Sequence, residues 1–98
     1  MFLVVLHRSG PAWRKALPVE GQIGWPEHAA FMESLVDSGF LALGGPLADK
    51  HRVVLAVEAQ TRDEVHAVLE QDPWCGSHLV LVTVEPWTTR LDGRTRTP

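Results

Sequence analysis

At 98 residues, with 45% of them hydrophobic and a formal net charge of −3, the chain fits one domain with a real but small core. Acidic and basic residues are mixed along it, so it carries neither a basic stripe for nucleic acid nor a basic amphipathic helix for a membrane surface. Cys75 is the single cysteine, which rules out a disulfide framework within the chain and a CxxC-type metal site, and suits a reducing cytoplasm.

Phe2 to Leu6 is a continuous, β-branched-rich apolar run and reads as a buried strand. It lacks a basic leader and is too short for a signal core or a membrane span. Arg8 to Trp25 follows as a long irregular stretch holding Gly10, Pro11, Pro18, Gly21 and Gly24. Loops of that length in a compact domain are usually functional or disordered. Pro26 suits the first turn of a helix, and Glu27 adds a favourable charge near its positive end. That helix is expected to run to about Ser38, with Met32, Leu35 and Val36 as its apolar stripe and Gly39 as its left-handed cap.

Phe40 to Leu43 reads as a second strand closed by Gly44-Gly45-Pro46, and Val53 to Val57 as a third. Thr61 and Glu64 form a capping box ahead of a second helix, with Val65, Val68 and Leu69 on one face, stopped by Pro73. Leu79 to Val84 reads as a fourth strand ended by Pro86. The domain is therefore expected over residues 1–87, and 88–98 as a polar, solvated C-terminal tail.

The order strand, helix, strand, strand, helix, strand is the split βαβ arrangement of a ferredoxin-like α+β fold. Its usual solution is a four-stranded antiparallel sheet with both helices on one face. The first, third and fourth strands carry apolar residues on both alternating faces, so the uncovered face is expected to meet a second copy in a homodimer.

Following strand directions, one end of the sheet collects His7 and Ser9 after the first strand, Trp25 and His28 at the start of the first helix, Gly45 and Pro46 after the second strand, Asp72 and Trp74 at the exit of the second helix, and His78. His28 lies four, seven and eight positions before Met32, Leu35 and Val36, on the stripe that faces the sheet. Asp72 follows Val68 and Leu69 by four and three positions and prolongs the inward face of the second helix. A buried carboxylate beside an imidazole fixes its tautomer, which is the logic of a general base. Two bland readings stand beside this one. Asp-Pro is a common helix stop, and a lone histidine on an apolar stripe is often an ordinary core residue. His7 and His78 read as strand-flanking and exposed, His51 and His66 as surface residues. Trp25 and Trp74 read as walls of an apolar pocket, and Trp87 as a packing anchor or dimer contact. No HxH or HxxxH pair supports a metal site, Cys75 reads as incidental, and no cofactor is expected.

The pieces FLVVL, EHAAFMESLVDSG, LALGGP, EAQTRDEVHAVLEQDPW and VTVEPW, in that order over residues 1–87, resemble the YciI-like (YCII-related) family. The resemblance implies a dimeric α+β barrel joined through the sheets, and a His/Asp-centred cleft whose two residues are here His28 and Asp72. The family analogy also touches chloroaromatic degradation, with elimination of HCl as one chemistry, and the leading reading is a cofactor-independent enzyme of lyase or isomerase type in which His28 abstracts a proton. The residues then read as catalytic His28 and Asp72, with His7, Ser9, Trp25, Gly45, Pro46 and Trp74 about a small apolar or aromatic molecule. A non-catalytic binding or sensing module with the same pocket is the second reading, and a purely structural partner subunit the third.

Overall fold

A computed structural model describes residues 1–95. Strand β1 spans Phe2–His7, helix α1 Trp25–Asp37, strands β2 and β3 Leu41–Pro46 and Arg52–Val57, helix α2 Arg62–Leu69, and strand β4 Val80–Pro86. The four strands form one antiparallel sheet in the order β2-β3-β1-β4. Since β1 and β2 both pair antiparallel with β3, they run parallel to each other, one strand apart, as a helical crossover requires. The same holds for β3 and β4 about β1. The fold is thus α+β and ferredoxin-like.

The period-two alternation of the strands decides what each face presents. Phe2, Val4 and Leu6 oppose Val57, Leu55 and Val53, and this face meets Leu35 of α1, Val65 and Leu69 of α2, and Trp74 in one core. The opposite face carries Leu3 and Val5 against Ala56 and Val54, with Leu43 and Val80 also outward. On this face Ala56 is buried, Leu3, Val5 and Val54 are half-buried, and Leu43 and Val80 are exposed.

Two elements differ from expectation in how they end. Strand β2 continues through Gly44, Gly45 and Pro46 rather than ending before them. It pairs only with β3, at the edge of the sheet, where the missing N–H of a proline costs no ladder bond. Helix α2 stops at Leu69, so Asp72 stands in the turn beyond it, its N–H bonded to the Leu69 carbonyl. Its start is as expected: the Glu64 N–H donates to Thr61 Oγ1, while the Glu64 carboxylate accepts from the Gln60 N–H, one residue earlier than the standard box.

The long loop before α1 is ordered around one side chain. Gln22, buried, accepts the Arg14 N–H through Oε1 and donates through Nε2 to the carbonyls of Arg14 and Leu17. A 3₁₀ turn at Val19–Gly21 follows, and Gly24 enters α1 with φ 82°, a left-handed conformation that glycine adopts without penalty. At its other end the loop is tied to the turn before β4 by hydrogen bonds from Gly10 to His78 and from Ala12 to Ser77. Of the expected polar tail, residues 88–95 are described, with a short 3₁₀ turn at Gly93–Thr95, and Leu91 is exposed. Arg96, Thr97 and Pro98 lie outside the described residues.

Candidate active site

His28 and Asp72 meet although 44 residues separate them. The first turn of α1 brings His28 inward, and the turn after α2 brings Asp72 to it, with Nδ1 at 2.9 and 2.8 Å from the two carboxylate oxygens. Both side chains are largely buried, at 12% and 7% exposure. A carboxylate only accepts, so Nδ1 carries the hydrogen and the lone pair of the neutral ring lies on Nε2. Asp72 Oδ1 also accepts the buried N–H of Trp74, which fixes the carboxylate from behind. The Asp-Pro stop and the dyad therefore coexist: one carboxylate closes its own turn and orients the imidazole.

Trp74, 2% exposed, is the centre of an aromatic stack. Its indole lies parallel to the His28 ring at 4.1 Å on one side and stacks on the His78 ring at 4.6 Å on the other. Trp13 meets it edge-on at 5.9 Å, and Trp25 is tilted against both Trp74 and His28 at 5.9 Å. The indole N–H donates to the Ile23 carbonyl, joining the stack to the loop before α1.

Trp25, His28, Asp72 and Trp74 line a cavity of about 540 Å³ on the helix-bearing face of the sheet. Leu6, Leu41, Val53, Leu55 and Leu81 supply its floor, Trp25, His28, Met32 and Val36 the α1 wall, and Leu69, Asp72 and Trp74 the opposite wall. The lining is dominantly apolar with a few polar groups, the usual composition of a small-molecule site. Gly44 points to its floor: a Cβ there would meet Leu55 Cδ2 at 2.7 Å. Gly45 and Pro46 contribute to the rim.

Of the residues expected at this site, His28, Asp72, Trp25, Trp74, Gly45 and Pro46 line the cavity, whereas His7 and Ser9 do not. The cause is strand parity. Leu6 and Arg8 share the inward side, which turns His7 outward, where its ring lies 4.8 Å from that of His51, and Ser9 is exposed.

Arg8 is a lining residue that sequence reasoning passed over, and the parity of the buried Phe2, Val4, Leu6 series pointed to it. His66, expected on the surface, also lines the cavity. Trp87 is half-exposed, its N–H bonded to the Met1 carbonyl. His78, expected to be exposed, is 5% exposed. Its Nδ1 faces Ser77 Oγ, and its Nε2 is buried with no partner among the described residues. Burial, reinforced by the His28 charge and opposed by Asp72, lowers its pKa.

Cys75 lines the cavity rim, but burial and the Asp72 and Glu70 charges raise its pKa and disfavour the thiolate. Among the described residues no group of three or more His, Cys, Asp or Glu is placed to hold a metal ion, and no helix is long and apolar enough to cross a membrane. No protein-family model matches the chain, and no curated protein shows significant similarity to it.

Proposed function

We propose that the chain is a cofactor-independent enzyme of lyase or isomerase type acting on a small apolar or aromatic molecule. The observation that carries this reading is the His28 Nδ1–Asp72 pair on the wall of an apolar cavity, which leaves Nε2 as the base. His28 takes a proton from carbon and returns it elsewhere, or gives it to a leaving group. Asp72 holds the tautomer and stabilises the imidazolium that forms. The wall of Trp25, Trp74 and Met32 excludes water from the anionic intermediate. The resemblance to YciI-like proteins supports the same pair of residues. It also supports a cytoplasmic homodimer joined through the sheet face that bears no helix, for which the exposed Leu43 and Val80 argue independently.

The test is proton exchange. A panel of small aromatic and cyclic carbonyl compounds is incubated with the protein in D₂O, and deuterium at carbon is followed by mass spectrometry. Wild type incorporates deuterium into at least one compound and His28→Gln into none. Saturable binding without exchange in wild type sinks the enzyme reading in favour of a binding or sensing module.

A further inference from the structure

The cavity has one cationic corner, and nothing in the dyad chemistry uses it. Arg8 follows Leu6 on the inward side of β1 and lines both the apolar cavity and an adjoining groove of about 550 Å³. Its guanidinium is held in place: Nη1 donates to the Lys50 carbonyl at 2.9 Å, and Cζ sits over the Trp13 ring at 5.1 Å. Among the described residues no carboxylate lies within ion-pair distance of it, the three close pairs being His28–Asp72, Arg52–Asp49 and Arg94–Asp92. A guanidinium has five N–H donors in a planar fork, and this one commits a single bond.

Lys15 and Lys50 line the same groove as Arg8 with a single acid, Glu20, whose field reaches the guanidinium without an ion pair. The carboxylates that line the cavity come from elsewhere. Glu33 stands on α1 and Glu70 at the end of α2, and Asp72 is engaged by His28. An anionic group entering the cavity is thus repelled from the helix side and attracted to the end of β1. The fork is prealigned and its stem packs beside apolar surface, so little ordering is needed when a planar anion docks on it.

We infer that Arg8 is the carboxylate anchor of this cavity, so that its ligands are apolar or aromatic monocarboxylic acids with the hydrocarbon body over Leu55 and Trp25 and the acid group on the guanidinium. The inference rests on the ligand reading of the cavity and narrows its substrate class. It gives the proposed base a fixed substrate orientation, with one end held at β1 and the reacting carbon presented along the α1 wall.

The experiment is a comparison of 3-phenylpropanoate with 3-phenylpropanamide, which share shape but not charge. Binding is followed by ¹H–¹⁵N NMR on the tryptophan indoles and on His28. Wild type is expected to bind the acid roughly 10-fold or more tighter than the amide, the size of a charge-assisted pair. Arg8→Met, which keeps the stem, brings the ratio to about one, and Arg8→Lys leaves a reduced ratio because it keeps charge without the fork. Equal binding of acid and amide by wild type, or a ratio that survives Arg8→Met, overturns the anchor and leaves the ligand reading standing. Failure of both probes to move the Trp25 and His28 signals overturns both together.

Discussion

Replacing Asp72 by Asn exchanges one atom and reverses the chemistry expected of His28. In wild type the carboxylate accepts from both the His28 ring at Nδ1 and the Trp74 N–H. An asparagine can keep the Trp74 bond with its carbonyl oxygen, but it then presents its NH₂ to Nδ1. At the Oδ2 position, 2.8 Å from Nδ1, this sets a donor against a donor and favours the tautomer with the proton on Nε2, which can then no longer serve as a base. The stability cost is modest. Charge-assisted bonds of about 1.5–3 kcal/mol become neutral ones of about 0.5–1.5 kcal/mol, so a loss of about 1–2 kcal/mol is expected. Asp72→Ala costs more, about 2–5 kcal/mol, because the buried Trp74 N–H and the His28 ring both lose their partner. Any exchange activity should fall by about 10²–10⁴-fold in Asp72→Asn, the span of general-base catalysis. The tautomer is read directly by long-range ¹H–¹⁵N correlation of the His28 ring, independently of any substrate. It should show hydrogen on Nδ1 in wild type and on Nε2 in the variant. The same tautomer in both proteins would refute the orienting role of Asp72.

Three further outcomes follow from the same geometry. Burial lowers the His78 pKa, so the unfolded chain binds the proton more readily, and stability should fall as pH drops below about 6.5 and be complete above it. The slope is at most about 1.4 kcal/mol per pH unit, and His78→Gln should flatten it in urea titrations across that range. Gly10→Ala should destabilise by more than about 1 kcal/mol and lower the melting temperature, because a Cβ there would run into the Ser77 carbonyl oxygen, which is backbone and cannot swing aside. Val5→Lys, at the centre of the sheet face that bears no helix, opposite Val54 and Thr83, should turn a dimer into a folded monomer by light scattering with an unchanged far-UV spectrum. A wild-type protein that is monomeric at micromolar concentration contradicts the dimer outright.

The features legible in the sequence are those that a single period or cap determines. His28 was found because it shares a helical stripe with Met32 and Leu35, and Asp72 because it extends the inward face of α2 by one turn. The Thr61–Glu64 cap was equally local. What escaped depended on tertiary placement. Gly44-Gly45-Pro46 looks like a strand terminator, yet an edge position lets those residues continue β2. His78 sits in a turn with no periodicity to read, and only the fold brings Trp74 and Trp13 over it. Arg8 was hidden by its charge, since an arginine after a hydrophobic strand reads as the point where the chain meets water. His7 and Ser9 were placed at the correct end of the sheet but on the wrong side of it, a one-residue error that alternation turns into a change of face.

The amide of Gln22 has a consequence for how the cavity would receive the proposed ligand. Residues 14–22 close on that side chain through three hydrogen bonds, and the Trp74 indole pins Ile23 just beyond it. The rim from Val19 to Trp25 therefore takes its shape from bonds inside the chain rather than from contact with a ligand. Its backbone entropy is given up once, during folding, and not again at each encounter. Selectivity at such an entrance comes from complementarity to a standing template. A misfitting molecule finds no pliant segment to wrap around it, and a well-fitting one loses only its own freedom and its water.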